Sequence, residues 1–189
     1  RRKRANLFTS LQDLNRLMTL NKIDIINGQM NLNLGKGTSV SLQNVDLSVY
    51  SNRVLESTNR EGLRRAIDLL SFSGGISKIK DIEVKLEDVR YTGDNLVRAK
   101  KLLVSSKDNK LSAKVFDVNI NNLLVDERSE AVVLDGLQWK NATISVQTVP
   151  SHREKRNDGV ISLCNISGTN TQLHFQCGST KVTSFVPSL

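Results

Sequence analysis

Apolar and polar residues alternate over long stretches of this chain, and the alternation repeatedly shifts by one position. In Val40-x-Leu42-x-Asn44-Val45-x-Leu47, two apolar residues precede an Asn, and the apolar positions then resume on the opposite parity. Strict alternation of this kind is typical of β-strands with one buried face. The same shift recurs at an Asn or Asp along the whole chain, at Asn27, Asn44, Asp88, Asp117, Asn141 and Asn165.

The shift has two structural interpretations. An extra residue in one strand of an antiparallel pair forms a β-bulge, which reverses side-chain parity, bends the strand and increases its twist. Asn and Asp tolerate the backbone of such sites better than most residues. The alternative is that some copies are two strands separated by a tight corner. Repetition of the bulge in successive strands would curve a sheet systematically.

The strands follow one another without helical crossovers, which favours antiparallel pairing. The predicted fold is therefore mainly β: an elongated curved antiparallel sheet with repeated bulged strands and two short helices. We expect residues 1–189 to be a single β-rich fragment of a larger protein, because the chain starts at Arg1 and ends on an apparent strand.

Apolar residues at helical spacing predict the two helices, over about 6–19 and 59–71. In the second helix, Arg64 and Asp68 are spaced for an i,i+4 ion pair. The segment 150–159 is the least apolar part of the chain and is predicted to be a mobile charged loop.

The formal net charge of +8 makes an acidic partner conceivable, either nucleic acid or an anionic membrane surface. The aromatic residues are one Trp, two Tyr and five Phe, and none lies in a basic stretch of the kind that stacks bases. We therefore expect a solvated basic surface and no nucleic-acid partner.

Catalytic and metal-binding signatures are missing from the sequence. It contains no nucleophile elbow, no zinc-protease motif and no phosphate-binding glycine loop. The two histidines, His152 and His174, have no neighbouring nucleophile or paired cysteines. We expect a protein that is not an enzyme and needs no metal or cofactor.

Two cysteines, Cys164 and Cys177, lie on what read as neighbouring strands. A disulfide between them would suit an oxidising compartment, whereas two free thiols would suit any compartment. The sequence leaves both possibilities open.

Two segments resemble the repeating unit of AsmA-like envelope proteins. In that unit a strand bearing Ile-x-Ile-x-Asn-Gly, here residues 23–28, precedes a strand bearing Leu-x-Asn-Val-x-Leu, here residues 42–47. The segment 134–144 is similar to a later unit in the style of Bacteroidetes members. The similarity extends roughly over residues 7–149 and consists of the residue pattern and a few short motifs.

The resemblance implies a large envelope protein, anchored in the inner membrane by an N-terminal helix and extending into the periplasm as a twisted β-structure with an apolar groove. Such proteins are implicated in phospholipid movement to the outer membrane or in outer-membrane assembly. The implied partners are a phospholipid or other acyl-chain ligand, and a membrane through an anchor that these residues do not include. The family has no catalytic residues to transfer to this chain.

A curved sheet with a continuous aliphatic face must cover that face with helices, with another chain or with a ligand. The two predicted helices are too short to cover it, so a slot for acyl chains is predicted. An ordinary closed core is the alternative for each of its residues. The candidate lining residues are Ile23, Ile25, Leu32, Leu42, Leu47, Val84, Leu86, Val118, Ile120, Ile144 and Val146.

The leading hypothesis is a non-enzymatic periplasmic segment that binds or conducts lipid, or supports outer-membrane assembly. A structural β-rich module for protein interaction or adhesion is the alternative, and a closed, fully packed interior would favour it.

Overall fold

A computed structural model describes residues 21–35, 37–57, 60–108, 110–126, 131–148 and 160–189. Twelve strands and two short helices form in these ranges. In chain order they are β1 (Lys22–Gly35), β2 (Thr38–Tyr50), α1 (Ser51–Glu56), α2 (Arg60–Ala66), β3 (Ile67–Ile79), β4 (Ile82–Thr92), β5 (Val97–Ser106), β6 (Leu111–Ile120), β7 (Asn122–Asp126), β8 (Ala131–Asp135), β9 (Gln138–Thr148), β10 (Val160–Cys164), β11 (Ser167–Cys177) and β12 (Thr180–Ser188).

Nine of the strands form one large open sheet in the order β1-β2-β3-β4-β5-β6-β9-β11-β12. The other three form a small sheet in the order β10-β8-β7. The prediction of a mainly β fold built on one large sheet with two short helices is thus confirmed, and consecutive strands from β1 to β6 pair antiparallel.

The pair β9–β11 is parallel, so the large sheet is mixed and not wholly antiparallel as predicted, and the pair β8–β10 in the small sheet is parallel as well. The reason lies in the chain path. The chain passes from β8 in the small sheet into β9 in the large one, and later repeats that passage from β10 into β11. The two passages lie side by side and run in the same direction.

All six predicted shift residues adopt a left-handed backbone, with φ between 50° and 54°. Asn170 in β11 shares this conformation with φ of 51°. One left-handed residue inside a strand turns the chain and reverses the parity of the side chains. At five of the sites the sequence signal marks a kink inside a strand, whereas Asn165 lies at the corner between β10 and β11, as the alternative interpretation predicts for some copies. Asn and Asp occupy these sites because they tolerate the left-handed region better than other residues with a side chain.

In the centre of the large sheet the kinks are in register, and no extra residue enters either strand of a pair. Phe72 lies opposite Val89 and Gly75 lies opposite Leu86, so three steps on β3 match three steps on β4. The same match holds between β4 and β5 and between β5 and β6. Local register irregularities, as predicted for bulges, occur near Gly28 between β1 and β2, and between β6 and β9.

The kinks of neighbouring strands together form a crease across the large sheet. On the outer side of the crease lies a row of exposed polar residues, which we call the ridge: Asn27, Asn44, Ser73, Asp88, Lys100, Asp117, Asn141 and Asn170. Neighbouring ridge side chains interact, as in the 2.8 Å hydrogen bond that Asn44 donates to Ser73 and the 3.1 Å bond that Asn170 donates to Asn141. β3 and β5 cross the crease at Ser73 and Lys100 without a left-handed residue.

The second predicted helix is shorter than expected. Helix α2 spans Arg60–Ala66, and the chain enters β3 at Ile67, where it pairs with β2 and then with β4. Asp68 is therefore in a strand, and Arg64 donates instead to the carbonyl oxygen of Leu123 at 3.0 Å. Strand pairing on both sides of β3 overrides the local helical spacing. The predictions for residues 6–19 and 150–159 lie outside the described residues.

Candidate functional site

The crease divides the inner face of the large sheet into two walls, both apolar. Wall A lies on the side of the hairpin turns β1–β2, β3–β4 and β5–β6, and wall B lies on the side of the helices. The register gives cross-strand rows of inward side chains on each wall. The wall A row nearest the crease contains Met30, Leu42, Gly75, Leu86, Leu102, Val115, Ala142, Thr171 and Val186. The next row contains Leu32, Val40, Ser77, Val84, Val104, Ala113, Ile144, Leu173 and Ser184.

At the crease the two walls pack against a shared cluster of buried side chains, which we call the floor: Val45, Phe72, Val89, Ala99 and Val118. Leu42 and Leu86 reach the floor from wall A, and Leu47 and Ile120 reach it from wall B. Because residues from both walls contact one cluster, the inner faces turn toward each other. The inner face is thus an apolar trough.

Away from the floor the same apolar face is exposed. Five large side chains, which we call the mouth, lie on wall A with 38% to 54% of their surface exposed: Leu32, Ile79, Ile82, Phe175 and Val182. No described element covers them. Ile79 lies beside Ile82, and Phe175 lies beside Val182, so the exposed apolar groups form adjacent pairs at the two ends of wall A. Exposed apolar patches mark binding sites rather than a finished core.

All eleven sequence-predicted lining residues lie on the inner face, as the register and the alternation of each strand require. Five of them belong to the floor or pack directly against it: Leu42, Leu47, Leu86, Val118 and Ile120. The other six lie farther out on the two walls: Ile23, Ile25, Leu32, Val84, Ile144 and Val146.

The floor is closed in β3 by an aromatic ring over a glycine. A Cβ placed on Gly75 would lie 2.7 Å from Cε2 of Phe72 and 3.0 Å from Cδ2 of Leu42. The position therefore needs a residue without a side chain, so that the Phe72 ring can fill the angle between the walls. In the sequence, the apolar run around Phe72 could have indicated this part of the floor. The crease itself was not marked in β3, because Ser73-Gly74 lacks the Asn or Asp found at the other kinks.

A second aromatic ring fills the inner corner toward β11. The indole of Trp139 lies directly against Gly168, where a Cβ would overlap the ring. Its Nε1 donates a 2.9 Å hydrogen bond to Oγ1 of Thr171, a side chain that is only 1% exposed. This satisfies the one polar atom of the indole inside an apolar corner. Sequence reasoning missed Gly168 and Thr171, because a Gly and a Thr in a polar strand carry no pattern.

The helix end of the trough is held by polar contacts between separate elements. Besides its bond from Arg64, Leu123 of β7 donates its amide to the carbonyl oxygen of Asn95 in the β4–β5 turn at 3.1 Å. The small sheet, α2 and the β4–β5 turn thus meet at one place. Contacts of this kind fix the position of wall B relative to the helices.

A charged cluster ties β1 to the start of β3 at the same end. Nζ of Lys22 lies 2.8 Å from Oδ2 of Asp68, and the Tyr50 hydroxyl donates to Oδ1 at 3.1 Å. The guanidinium of Arg53 lies over the Tyr50 ring at 4.6 Å. The hydrogen bond from Lys22 lowers the pKa of Asp68 and, reciprocally, raises the pKa of Lys22. The cluster is exposed to solvent, so its role is to orient side chains and not to bind a buried ligand.

The disulfide considered from the sequence is not formed: Cys164 and Cys177 are free and exposed. Cys164 ends β10 in the small sheet, and Cys177 ends β11 in the large one, opposite Thr148 and Thr180. The whole of β11 separates them, which at about 3.3 Å per residue is far beyond the roughly 4–7 Å between Cα atoms that a disulfide spans.

Within the described ranges, no three His, Cys, Asp or Glu side chains are grouped to hold a metal ion. The same part of the chain has no helix with the length and apolar character to cross a membrane.

The fold and the trough define a class of protein: an open, creased β-sheet with polar residues along its outer ridge and an apolar inner face. No family model matches the sequence, and neither the curated proteins nor the solved structures contain a match to it.

Proposed function

We propose that the apolar trough binds the acyl chains of lipids. The observation that carries the proposal is that side-chain exposure increases along the inner face, from the buried floor to Leu32, Ile79 and Ile82 at the mouth. Half-exposed aliphatic side chains beside a packed floor offer a flexible hydrocarbon chain apolar contact along wall A. Burial of such surface is worth about 25 cal/mol per Å².

The binding is non-enzymatic. Polar side chains gather on the outer ridge and at the helix end, and they are held in mutual contacts such as Asp68 with Lys22. The inner face offers mostly aliphatic and aromatic groups, which contact a hydrocarbon chain without reacting with it, and its rows include hydroxyl groups at Ser77, Thr171 and Ser184. The trough is thus suited to holding or passing a lipid and not to converting it.

The exposed mouth also bears on the alternative function, a purely structural interaction or adhesion module. That function would be favoured by a closed, fully packed interior. The inner face is packed only at the floor, and Phe175 and Val182 at the far end of wall A remain about half exposed. The lipid function therefore fits the observed burial better.

From the resemblance to AsmA-like envelope proteins we further propose that the chain lies in the periplasm, as part of a longer protein anchored in the inner membrane. There it would carry lipid toward the outer membrane or support outer-membrane assembly. The test is cell fractionation with an antibody against this chain. We expect the antigen in the inner-membrane fraction, and we expect protease to reach it once the outer membrane is permeabilised. Antigen in the cytosolic fraction would contradict this location.

Lipid binding itself is tested with substitutions of exposed isoleucines on the two faces of the sheet. Ile79 and Ile76 both belong to β3 and are 47% and 40% exposed, but Ile79 faces the trough and Ile76 faces outward beside Ser41 and Lys85. We expect purified protein to retain phospholipid in native mass spectrometry and to bind a dansyl-labelled fatty acid. I79N combined with I82N should weaken fatty-acid binding by roughly thirtyfold, since each Ile contributes on the order of 1 kcal/mol when half buried, or about 2 kcal/mol together.

The single I76N variant should bind the dansyl-labelled fatty acid as the wild type does. Equal losses in I76N and in I79N/I82N would place the binding outside the trough. A lipid-free wild-type protein that takes up no fatty acid and no phospholipid would refute the proposal.

A further inference from the structure

Two arginines lie opposite each other on the outer side of wall B. Arg90 of β4 pairs directly with Arg98 of β5. Their neighbours in the chain, Val89 and Ala99, belong to the floor, so the alternation of each strand directs both guanidinium groups away from the trough. Both arginines are exposed. Opposite residues of an antiparallel pair have Cβ atoms about 4.5–5.5 Å apart, so two positive charges are close neighbours here.

This pair differs from the other charged pairs between β3, β4 and β5. Those pairs join opposite charges across neighbouring strands: Lys78 with Glu83 at 3.6 Å, Lys101 with Glu87 at 2.5 Å, and Lys100 with Asp88 at 3.6 Å. Arg90 and Arg98 form no hydrogen bond or ion pair with any residue in the described ranges. Like charges directly opposite each other destabilise a sheet. The repulsion between the two arginines is therefore not balanced by a described neighbour.

The residues that flank the two arginines in the same cross-strand row are polar and neutral. Ser71 lies opposite Arg90 on β3, and Asn119 lies opposite Arg98 on β6. The first carboxylate in this row is that of Asp46, two strands away from Arg90. Positive charge thus accumulates at the centre of the row, with neutral groups on both sides.

We propose that Arg90 and Arg98 together bind a phosphate group. Each guanidinium presents a planar fork of N–H donors that matches the oxygen atoms of a phosphate. A phosphate ester carries a charge of about −1.5 to −2, so a single group between the two forks neutralises both arginines and removes their repulsion. The sheet itself separates this site from the trough, and the proposal stands whether or not the trough binds lipid.

Two sources supply such a group, a small soluble phosphate ester and the headgroup of a phospholipid. Attachment to an anionic membrane surface usually takes clusters of about four to eight basic residues. The nearby Lys100 and Lys101 are paired with carboxylates, which leaves two arginines in this row. The charge distribution therefore favours the soluble ester, and binding to vesicles distinguishes it from the headgroup.

The test is titration of the full chain with inorganic phosphate at constant ionic strength, followed by the NMR signals of the arginine Nε–H groups and by calorimetry. R90Q/R98Q should weaken phosphate binding by about tenfold, because two exposed charge-assisted contacts are lost. R90K/R98K keeps both charges but lacks the planar forks, so it should weaken binding by about threefold. Circular dichroism checks that each variant is folded.

The matched control is K114Q/K140Q. Lys114 and Lys140 are exposed residues of β6 and β9, and their replacement lowers the net charge by the same amount as R90Q/R98Q does. This variant should bind phosphate as the wild type does. Equal losses in the two glutamine variants would mean that phosphate responds only to net charge, which would overturn the proposal.

A wild-type chain that binds no phosphate would also overturn it, and so would R90K/R98K or R90Q/R98Q binding as tightly as the wild type. Sedimentation with vesicles of phosphatidylglycerol or of phosphatidylcholine identifies the source. Phosphate binding without sedimentation on either kind of vesicle supports the soluble ester. Sedimentation on phosphatidylglycerol alone that is lost in R90Q/R98Q would overturn that source in favour of the headgroup.

Discussion

The floor and the mouth of the trough are built from the same alternating pattern, yet they differ in what covers them. Val45 and Val118 at the floor are 3% and 7% exposed, because side chains from both walls pack over them. Ile79 and Val182 at the mouth are apolar as well, but about half of each side chain is exposed, because no described element packs over them. Alternation therefore decides which face is apolar, and the crease decides where that face is buried. The stability of the protein should depend on the floor and its ligand binding on the mouth.

The largest expected difference is between two phenylalanines. Phe72 lies in the floor and is 8% exposed, whereas Phe175 lies at the mouth and is 46% exposed. F72A should lower the free energy of unfolding by about 3–4 kcal/mol, the usual cost of removing a buried ring and leaving a cavity. F175A should cost about 1 kcal/mol, in proportion to its smaller buried area.

Urea denaturation followed by circular dichroism measures both values. Similar losses in the two variants would mean that the mouth is packed as tightly as the floor and that the trough is closed.

A second contrast uses two adjacent glycines in β3. An Ala side chain at Gly75 would push against Phe72 and Leu42 in the floor, whereas a Cβ at Gly74 would meet only Oε1 of Gln43 at 3.7 Å. G75A should destabilise the protein by about 1–3 kcal/mol through overpacking. G74A should be neutral or stabilise it by about 0.5 kcal/mol, because Ala reduces the freedom of the unfolded chain.

Thermal unfolding of the two glycine variants shows whether each substitution stabilises or destabilises the protein. A G75A variant as stable as G74A would show that the Phe72 ring is not held over the crease.

Two substitutions at Asp88 distinguish the effect of its left-handed backbone from the effect of its charge. Its φ of 50° disfavours β-branched side chains, so D88V should cost about 1–2 kcal/mol. D88G accepts the same backbone freely. It loses only the exposed 3.6 Å ion pair with Lys100, worth less than about 1 kcal/mol. Chemical denaturation distinguishes the two, and equal losses in D88V and D88G would show that the carboxylate matters more than the backbone.

The kinks and the inner face could be predicted from the sequence because both follow from parity. An Asn or Asp between two alternating runs marked six of the left-handed residues, including Asp117 and Asn141, but it did not mark Asn170 in β11. Once the parity is known, the face of every flanking apolar residue is known too. The predicted lining residues therefore all lie on one side of the sheet.

Other features could not be predicted because they depend on partners distant in sequence. β3 and β5 cross the crease at Ser73 and Lys100, where no left-handed residue is needed and no Asn or Asp marks the site. Helix α2 ends at Ala66 because β3 pairs on both sides. The need for glycine at position 168 follows only from its contact with the Trp139 ring, which the structure shows.

The smallest expected effect lies in the β5–β6 turn, where Ser106 is opposite Ile82 of the mouth. Hydrogen bonds from the Ser106 hydroxyl at 2.6 Å and from the Lys110 amide at 3.2 Å, together with the Lys110 ammonium at 3.0 Å, lower the pKa of Asp108 to about 2 from its ordinary 3.8. A lowered folded-state pKa stabilises the protein above the ordinary value, and this contribution is lost as the pH falls from about 4 to 2. Titration of the Asp108 carboxyl by NMR should give this low pKa, and S106A should raise it toward 3.8 because the largest single cause is removed. Since the turn is exposed and far from the floor, S106A should leave the urea midpoint at neutral pH nearly unchanged. A large shift in that midpoint would mean that the mouth contributes to the stability assigned here to the crease.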